Sequence, residues 1–220
     1  EAGDPCIHRF REMVANGAVP FCCQGTENLL TLDGGRTLGF ELAAQWAAHG
    51  DSPTRLLVQV GGGALASSTV QALGDVVARG GPSTRPGLVA VQHEGCAPLA
   101  RAFNRVASAD DPMATLLLPD ATSDDGSAMW PWTDPASVAT GLLDDVVYDW
   151  RALVNDMLLG PAPGGPVVAT EADLVEAHRL VRAHTDVAAD PTGTGGLAGL
   201  LAARRDGCID ASEEVVILLT

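Results

Sequence analysis

The sequence predicts an α/β fold, a mainly parallel sheet with helices on both faces. Three observations lead there. Runs of strand character alternate with runs of helical character along the chain. The interior is supplied by small and aliphatic residues: 46% of the 220 residues are hydrophobic, only 4% are aromatic, and 25 are glycine. Finally, the stretch Arg55 to Ser68, R-L-L-V-Q-V-G-G-G-A-L-A-S-S, joins one element of each kind. Its apolar run Arg55 to Val60, bounded by Ser52-Pro53 and three glycines, reads as a buried strand. Ala64 to Ala78 then sets Leu65, Val70, Leu73 and Val77 on or near one helical face.

The elements follow in order. Asp4 to Ala15 carries Ile7, Phe10, Met13 and Val14 at helical spacing, and Asn16-Gly17 closes it. Val19 to Cys22 is expected to be a short strand, followed by a polar loop from Gln24 to Asn28. Asp33-Gly34-Gly35 is expected to precede a helix running to His49, with Leu38, Leu42 and Trp46 on one side and Gly50 as its stop. After the glycine turn and its helix, Gly80 to Pro86 is a loop, Leu88 to Gln92 a second strand and Ala97 to Val106 a helix. Ala107 to Thr133 is irregular, with one short element at Met113 to Leu118. Asp144 to Leu158 reads as helix, Gly160 to Pro166 as a linker-like turn and Val167 to Ala169 as a strand. Thr170-Glu171-Ala172-Asp173 has the form of a capping box and opens a helix with Leu174, Ala177, Val181 and His184 on one side. Asp190 to Thr194 introduces a further helix, Gly195 to Arg205, and Glu214 to Leu219 is the last strand.

Charge and composition exclude several function classes. A formal net charge of -15 argues against a nucleic-acid partner. The apolar runs fall well short of the roughly 20 residues that span a bilayer, and Glu1 to Pro5 lacks the basic and apolar regions of a signal peptide. Five cysteines, Cys6, Cys22, Cys23, Cys96 and Cys208, fit neither a disulfide framework nor a zinc site, and read as reduced thiols of a cytoplasmic protein. His8, His49, His93, His178 and His184 lack metal-ligand spacing. No Gly-x-Ser-x-Gly elbow supports serine hydrolysis. All 13 basic residues are arginine; the chain has no lysine.

Chemistry is instead concentrated in the glycine turn. Between a strand end and a helix start, the first backbone N–H groups have no intrahelical partner and the helix dipole is positive. Gly61, Gly62 and Gly63 put no Cβ between that backbone and a ligand, so the turn is a candidate anion cradle, most naturally for a phosphate. A tight β-to-α turn needed only for packing is the plainer alternative. Gly61-x-Gly63-x-x-Ala66 also meets the loose dinucleotide fingerprint, but the acidic residue that would hold a ribose about 20 residues on is missing there. Thr192 and Thr194 suit an N-cap for the following helix better than a ligand contact.

Taken together these segments resemble the fold-type II pyridoxal-phosphate (PLP) enzymes, the group of threonine synthase, threonine and serine dehydratases and tryptophan synthase β. Val58-Gln59-Val60-Gly61-Gly62-Gly63-Ala64-Leu65 resembles their V-P-V-G-G-G-G-L phosphate loop. Asp33 to Leu38 resembles the E-G-x-K-T helix start, Val89 to Gly95 the second-strand segment, and Ser137 to Gly141 the T-x-A-x-G segment. Asp190 to Leu200 resembles the acid-Pro-Ser/Thr segment, and Val215 to Thr220 the closing strand that ends in a hydroxyl or thiol residue.

The resemblance implies PLP as cofactor, its phosphate held by the backbone at Gly61, Gly62, Gly63, Ala64 and Leu65, and Thr220 as partner of the pyridine nitrogen. It implies β- or γ-elimination or replacement on an amino-acid substrate, with 51–220 as the large phosphate-binding domain and 1–50 as the end of the smaller domain and the return from it. Ala64 replaces the loop's fourth glycine, a mild departure because the amide remains. The family's Schiff-base lysine and its carboxylate-gripping loop have no counterpart here, so the chain is expected to be a truncated fragment, inactive without an N-terminal segment of the same enzyme, and a cytoplasmic homodimer when whole. A lysine-free, non-catalytic relative acting as a phosphate-binding or regulatory subunit is the alternative; a nicotinamide-dependent oxidoreductase is the third.

Overall fold

Leu56, Leu57 and Val58 are fully buried because their strand lies inside the sheet, with a hydrogen-bonded neighbour on each edge. The structure, a computed structural model, describes residues 5–25, 27–82, 84–121, 123–160, 162 and 164–220. In chain order the elements are α1 (Pro5–Ala15), α2 (Leu29–His49), β1 (Arg55–Gln59), α3 (Ala64–Ala78), β2 (Gly87–His93) and α4 (Pro98–Ala107). They continue with the short α5 (Pro112–Leu116), a 3-10 turn at Thr140–Leu142, α6 (Trp150–Leu159), β3 (Gly165–Ala169), α7 (Glu171–His184), α8 (Gly195–Arg205) and β4 (Val215–Ile217).

The sheet order is β3-β2-β1-β4 and every pairing is parallel, with Leu57 in register with Val89 on one side and Ile217 on the other. Alternation along the strands divides the core. Leu56, Val58, Leu88 and Ala90 meet Val70 and Leu73 of α3, Leu99 and Ala102 of α4, and Leu153 and Val154 of α6. On the other face Leu57, Val89 and Val91 meet Leu174 and Ala177 of α7 and Ala198 and Ala203 of α8. Each of these fully buried Leu or Val side chains contributes about 1.5–3 kcal/mol. The expected parallel α/β sheet with helices on both faces is the observed fold.

Four local expectations are corrected. Val19 to Cys22 forms no strand: Phe21 is 97% exposed, and the Cys22 carbonyl is taken by the Thr31 hydroxyl at 2.6 Å instead of by a neighbouring strand. Asp33-Gly34-Gly35 does not precede the helix but lies inside α2, which begins four residues earlier after Asn28. The reason is packing. A Cβ at Gly39 would lie 2.6 Å from the Ala72 Cβ and 2.7 Å from the Thr69 carbonyl oxygen, so α2 approaches α3 along a side-chain-free strip. Arg36 pairs with Asp75 across the same contact.

Helix α6 begins at Trp150, not Asp144, because 144–149 is spent on the glycine turn: the Asp149 amide donates to the Gly62 carbonyl at 3.3 Å, and the Asp145 carbonyl accepts from the Trp132 amide at 2.8 Å. Finally β3 starts at Gly165, inside the stretch expected to be a turn; Pro161 and Pro163 of that stretch lie outside the described residues, as do Glu1 to Asp4. The capping box at Thr170 is present, with both reciprocal hydrogen bonds. Among the described residues, no helix is long and apolar enough to cross a membrane.

Candidate functional site

Strands β1, β2 and β3 step one way across the sheet and β4 returns on the other side of β1. The chain therefore changes direction between β1 and β4, and in open α/β sheets the crevice at such a switch point, beyond the carboxyl ends of the strands, is where ligands bind. Two of the sequence-predicted features are delivered to this place from parts of the chain about 160 residues apart. Gly61, Gly62 and Gly63 leave β1, and Thr220 follows β4. Together with Cys23, Gln24, Gln59, Gly141, Asp144 and Thr192 they line a cavity of about 250 Å³.

The turn is built for close approach. Gly63 has φ +100, a left-handed conformation that an L side chain resists, and a Cβ there would stand 3.0 Å from Val147 Cγ1. A Cβ at Gly61 would collide with the Gly141 carbonyl oxygen and lie 2.6 Å from Asp144 Oδ2. The glycines thus let the turn sit against the 141–148 segment. Gly63 occupies the N-cap position of α3 and no side chain caps that helix, so the positive end of a fifteen-residue helix faces the cavity through Ala64 and Leu65, which line it. Asp144 supplies the opposing charge on the same wall.

Thr220, in the same lining, is held by both backbone and side chain. Its amide donates to the Gly193 carbonyl at 3.2 Å, and its Oγ1 accepts from Gln59 Nε2 at 2.9 Å. Thr192, expected to cap α8, instead accepts the Gly141 amide on Oγ1 at 3.0 Å and so ties the 190–194 segment to the 3-10 turn. Thr194 does stand at the N-cap position of α8 but makes no capping bond; its hydroxyl donates to the Pro191 carbonyl.

Neighbouring titratable groups are structural. Burial, reinforced by Asp144 and Asp145, pushes the Cys96 thiol up to about 11, so it stays neutral and donates to the Asp144 carbonyl. His93 is buried, with Nδ1 accepting the Gly95 amide and Nε2 2.9 Å from Glu171 Oε2. Glu94, the acidic residue directly after β2, accepts from the Glu171 amide at the start of α7. Asp149 is buried against the back of the turn and its carboxyl is pushed up to about 6 by desolvation. Among the described residues there is no cluster of three His, Cys, Asp or Glu that could hold a metal ion.

Sequence reasoning placed the glycine turn and Thr220 but missed Gln59, Asp144, Gly141 and Thr192 as neighbours in one cavity. Gln59 carried a signal as the single polar residue in the apolar run Leu56 to Val60, and Gly141 and Thr192 lie in two of the segments that carry the resemblance; Asp144 carried none.

A sequence model of the family described as pyridoxal-phosphate dependent enzyme matches residues 3–220. The chain belongs to that family, whose cofactor is pyridoxal 5'-phosphate. It is 23% identical over 194 residues to threonine synthase of Methanocaldococcus jannaschii, a match that covers 88% of this chain and 42% of that protein. Among solved structures, threonine deaminase isoform 2 from Solanum lycopersicum has 15% identity and a TM-score of 0.62, covering 86% of this chain and 45% of that one. An L-serine ammonia-lyase from Rhizomucor miehei has 20% identity and a TM-score of 0.59, covering 87% and 51%. These likenesses establish the shared fold. The chain spans about half the length of the relatives it matches or less.

The residues present fit the cofactor's non-covalent demands. An uncapped helix N-terminus with no Cβ at the turn suits a phosphate, and a hydroxyl in the same cavity lining suits a ring nitrogen. They do not supply an amine, because the chain has no lysine.

Proposed function

We propose that this chain is the cofactor-binding part of a PLP-dependent lyase or synthase that carries out β- or γ-elimination or replacement on an amino acid, of threonine synthase or threonine/serine dehydratase type. The observation that carries it is the convergence of the glycine turn and Thr220 on one cavity at the sheet's switch point. Backbone amides from Gly61 to Leu65 bind the phosphate. The Thr220 hydroxyl meets the pyridine nitrogen. When bound, PLP supplies an electron sink for bonds at the substrate α-carbon. A neutral hydroxyl partner, unlike a carboxylate, does not favour a protonated ring, which suits elimination and replacement.

On this reading 51–220 is the large phosphate-binding domain and 1–50 the end of the smaller domain and its return. The Schiff-base lysine and the substrate-carboxylate site belong to the rest of a full-length protein, a cytoplasmic homodimer. The absence of lysine among 13 basic residues favours a second reading, a non-catalytic relative that serves as a phosphate-binding or regulatory subunit.

Borohydride reduction of the full-length native protein with PLP, followed by peptide mapping, separates the two. A phosphopyridoxyl adduct on a lysine outside these 220 residues is the expected result. PLP binding with no adduct would overturn the catalytic reading in favour of the second.

A further inference from the structure

Gln59 stands out as a polar side chain committed to the core. It closes β1, is 6% exposed, and sits where the apolar run Leu56, Leu57, Val58 and the buried Val60 leads one to expect another aliphatic residue. Its Nε2 donates to Thr220 Oγ1 at 2.9 Å, while its Oε1 is buried with no hydrogen-bond partner among the described residues. A buried amide left half unsatisfied costs about 1–3 kcal/mol, so the arrangement must achieve something that a valine would not.

What it achieves is a choice of polarity. A threonine hydroxyl has one proton and two lone pairs. Here one lone pair is occupied by the Gln59 N–H, and among the described residues the hydroxyl donates to no acceptor. Reversing the amide would bury two N–H groups without partners, and orphaned donors are rarer in protein interiors than under-used carbonyl oxygens. Thr220 itself is exposed, and its amide donates to the Gly193 carbonyl at 3.2 Å, which anchors the backbone from which the hydroxyl reaches Gln59. We propose that Gln59 is a positioning residue: by occupying one of the two lone pairs of Thr220 Oγ1 it biases the Thr220 hydroxyl toward donating its proton into the cavity.

This rests on the reading above that the cofactor ring lies against Thr220. A donor hydroxyl pairs with an unprotonated ring nitrogen, whereas an accepting one pairs with a pyridinium. Gln59 therefore shifts the balance toward the neutral ring nitrogen, one step removed from the ring itself.

The test is the ¹⁵N NMR shift of ring-labelled PLP bound to the full-length protein across pH. In the wild type the nitrogen is expected to be unprotonated at neutral pH. In Gln59→Glu the carboxylate accepts the Thr220 proton, a lone pair turns to the cavity, and the ring nitrogen's proton affinity rises about tenfold or more. Gln59→Leu, which only removes the donor, shifts it in the same direction by less. In each case adding Thr220→Ala abolishes most of the shift. The proposal is overturned if PLP binds both Gln59 variants with an unchanged ring-nitrogen shift, or if the Gln59→Glu shift survives in full without Thr220, since a direct charge effect needs no hydroxyl. A wild-type protein that does not bind PLP, or a ring-nitrogen shift unmoved by Thr220→Ala alone, defeats the functional reading itself.

Discussion

Asp149 illustrates how a single residue is shaped by the turn it supports. Its carboxylate is pressed between Gly25, where a Cβ would come within 2.6 Å of Oδ2, and the wall behind Gly63; Oδ2 has no partner among the described residues. Burial raises the carboxyl from its ordinary 3.8 to about 6. The folded state therefore holds the proton more tightly than the unfolded chain, and stability falls as pH rises through the interval between those two values. Asp149→Asn is expected to raise stability by about 1–3 kcal/mol at pH 7 and to change it little at pH 4, measured as melting temperature against pH. At this scale the sequence revealed what is local. The glycines were legible because three in a row between a strand and a helix have few uses, and Thr220 because it ends an apolar run in a family-like order. Asp144 and Asp149 read as parts of a helix, since nothing in their own neighbourhood says that the glycine turn folds back onto them.

Among the elements, α2 and α3 show how backbone proximity is encoded. Both Gly35 and Gly39 face α3, with Cβ positions 2.6 Å from Ser68 Oγ and from the Ala72 Cβ, whereas Gly34 faces open space. Gly39→Val should force the helices apart and cost about 1–3 kcal/mol, with Gly34→Ala neutral or slightly stabilising; chemical denaturation of the two variants checks the contrast. The helix α3 was legible to its end residues because a glycine turn starts it and an apolar stripe runs through it. Asp33-Gly34-Gly35 misled for a physical reason: in isolation, adjacent glycines after an acid signal a helix boundary, and only the facing helix shows that they are contact residues. Likewise 144–149 has helical composition, but its backbone amide and carbonyl groups are claimed by Gly62 and Trp132.

For the molecule as a whole, function depends on topology. Residues 61–65 and 220 become neighbours because β4 pairs with β1 from the side opposite β2, a pairing of residues about 160 apart in sequence. The alternation of strands and helices announced a parallel sheet, but the strand order, and hence the switch point, comes from long-range pairing that periodicity does not carry. Formal charge of -15 sets the other condition: on the proposed reading an anionic cofactor would be held by backbone dipoles against the field of the protein, with Asp144 in the same cavity lining. The most direct test is calorimetric titration of the full-length native protein with PLP and with pyridoxal, which lacks only the phosphate. Charge-assisted hydrogen bonds from the turn should make PLP bind about a hundredfold or more tightly. Equal affinity for the two compounds would contradict a phosphate site at Gly61 to Leu65.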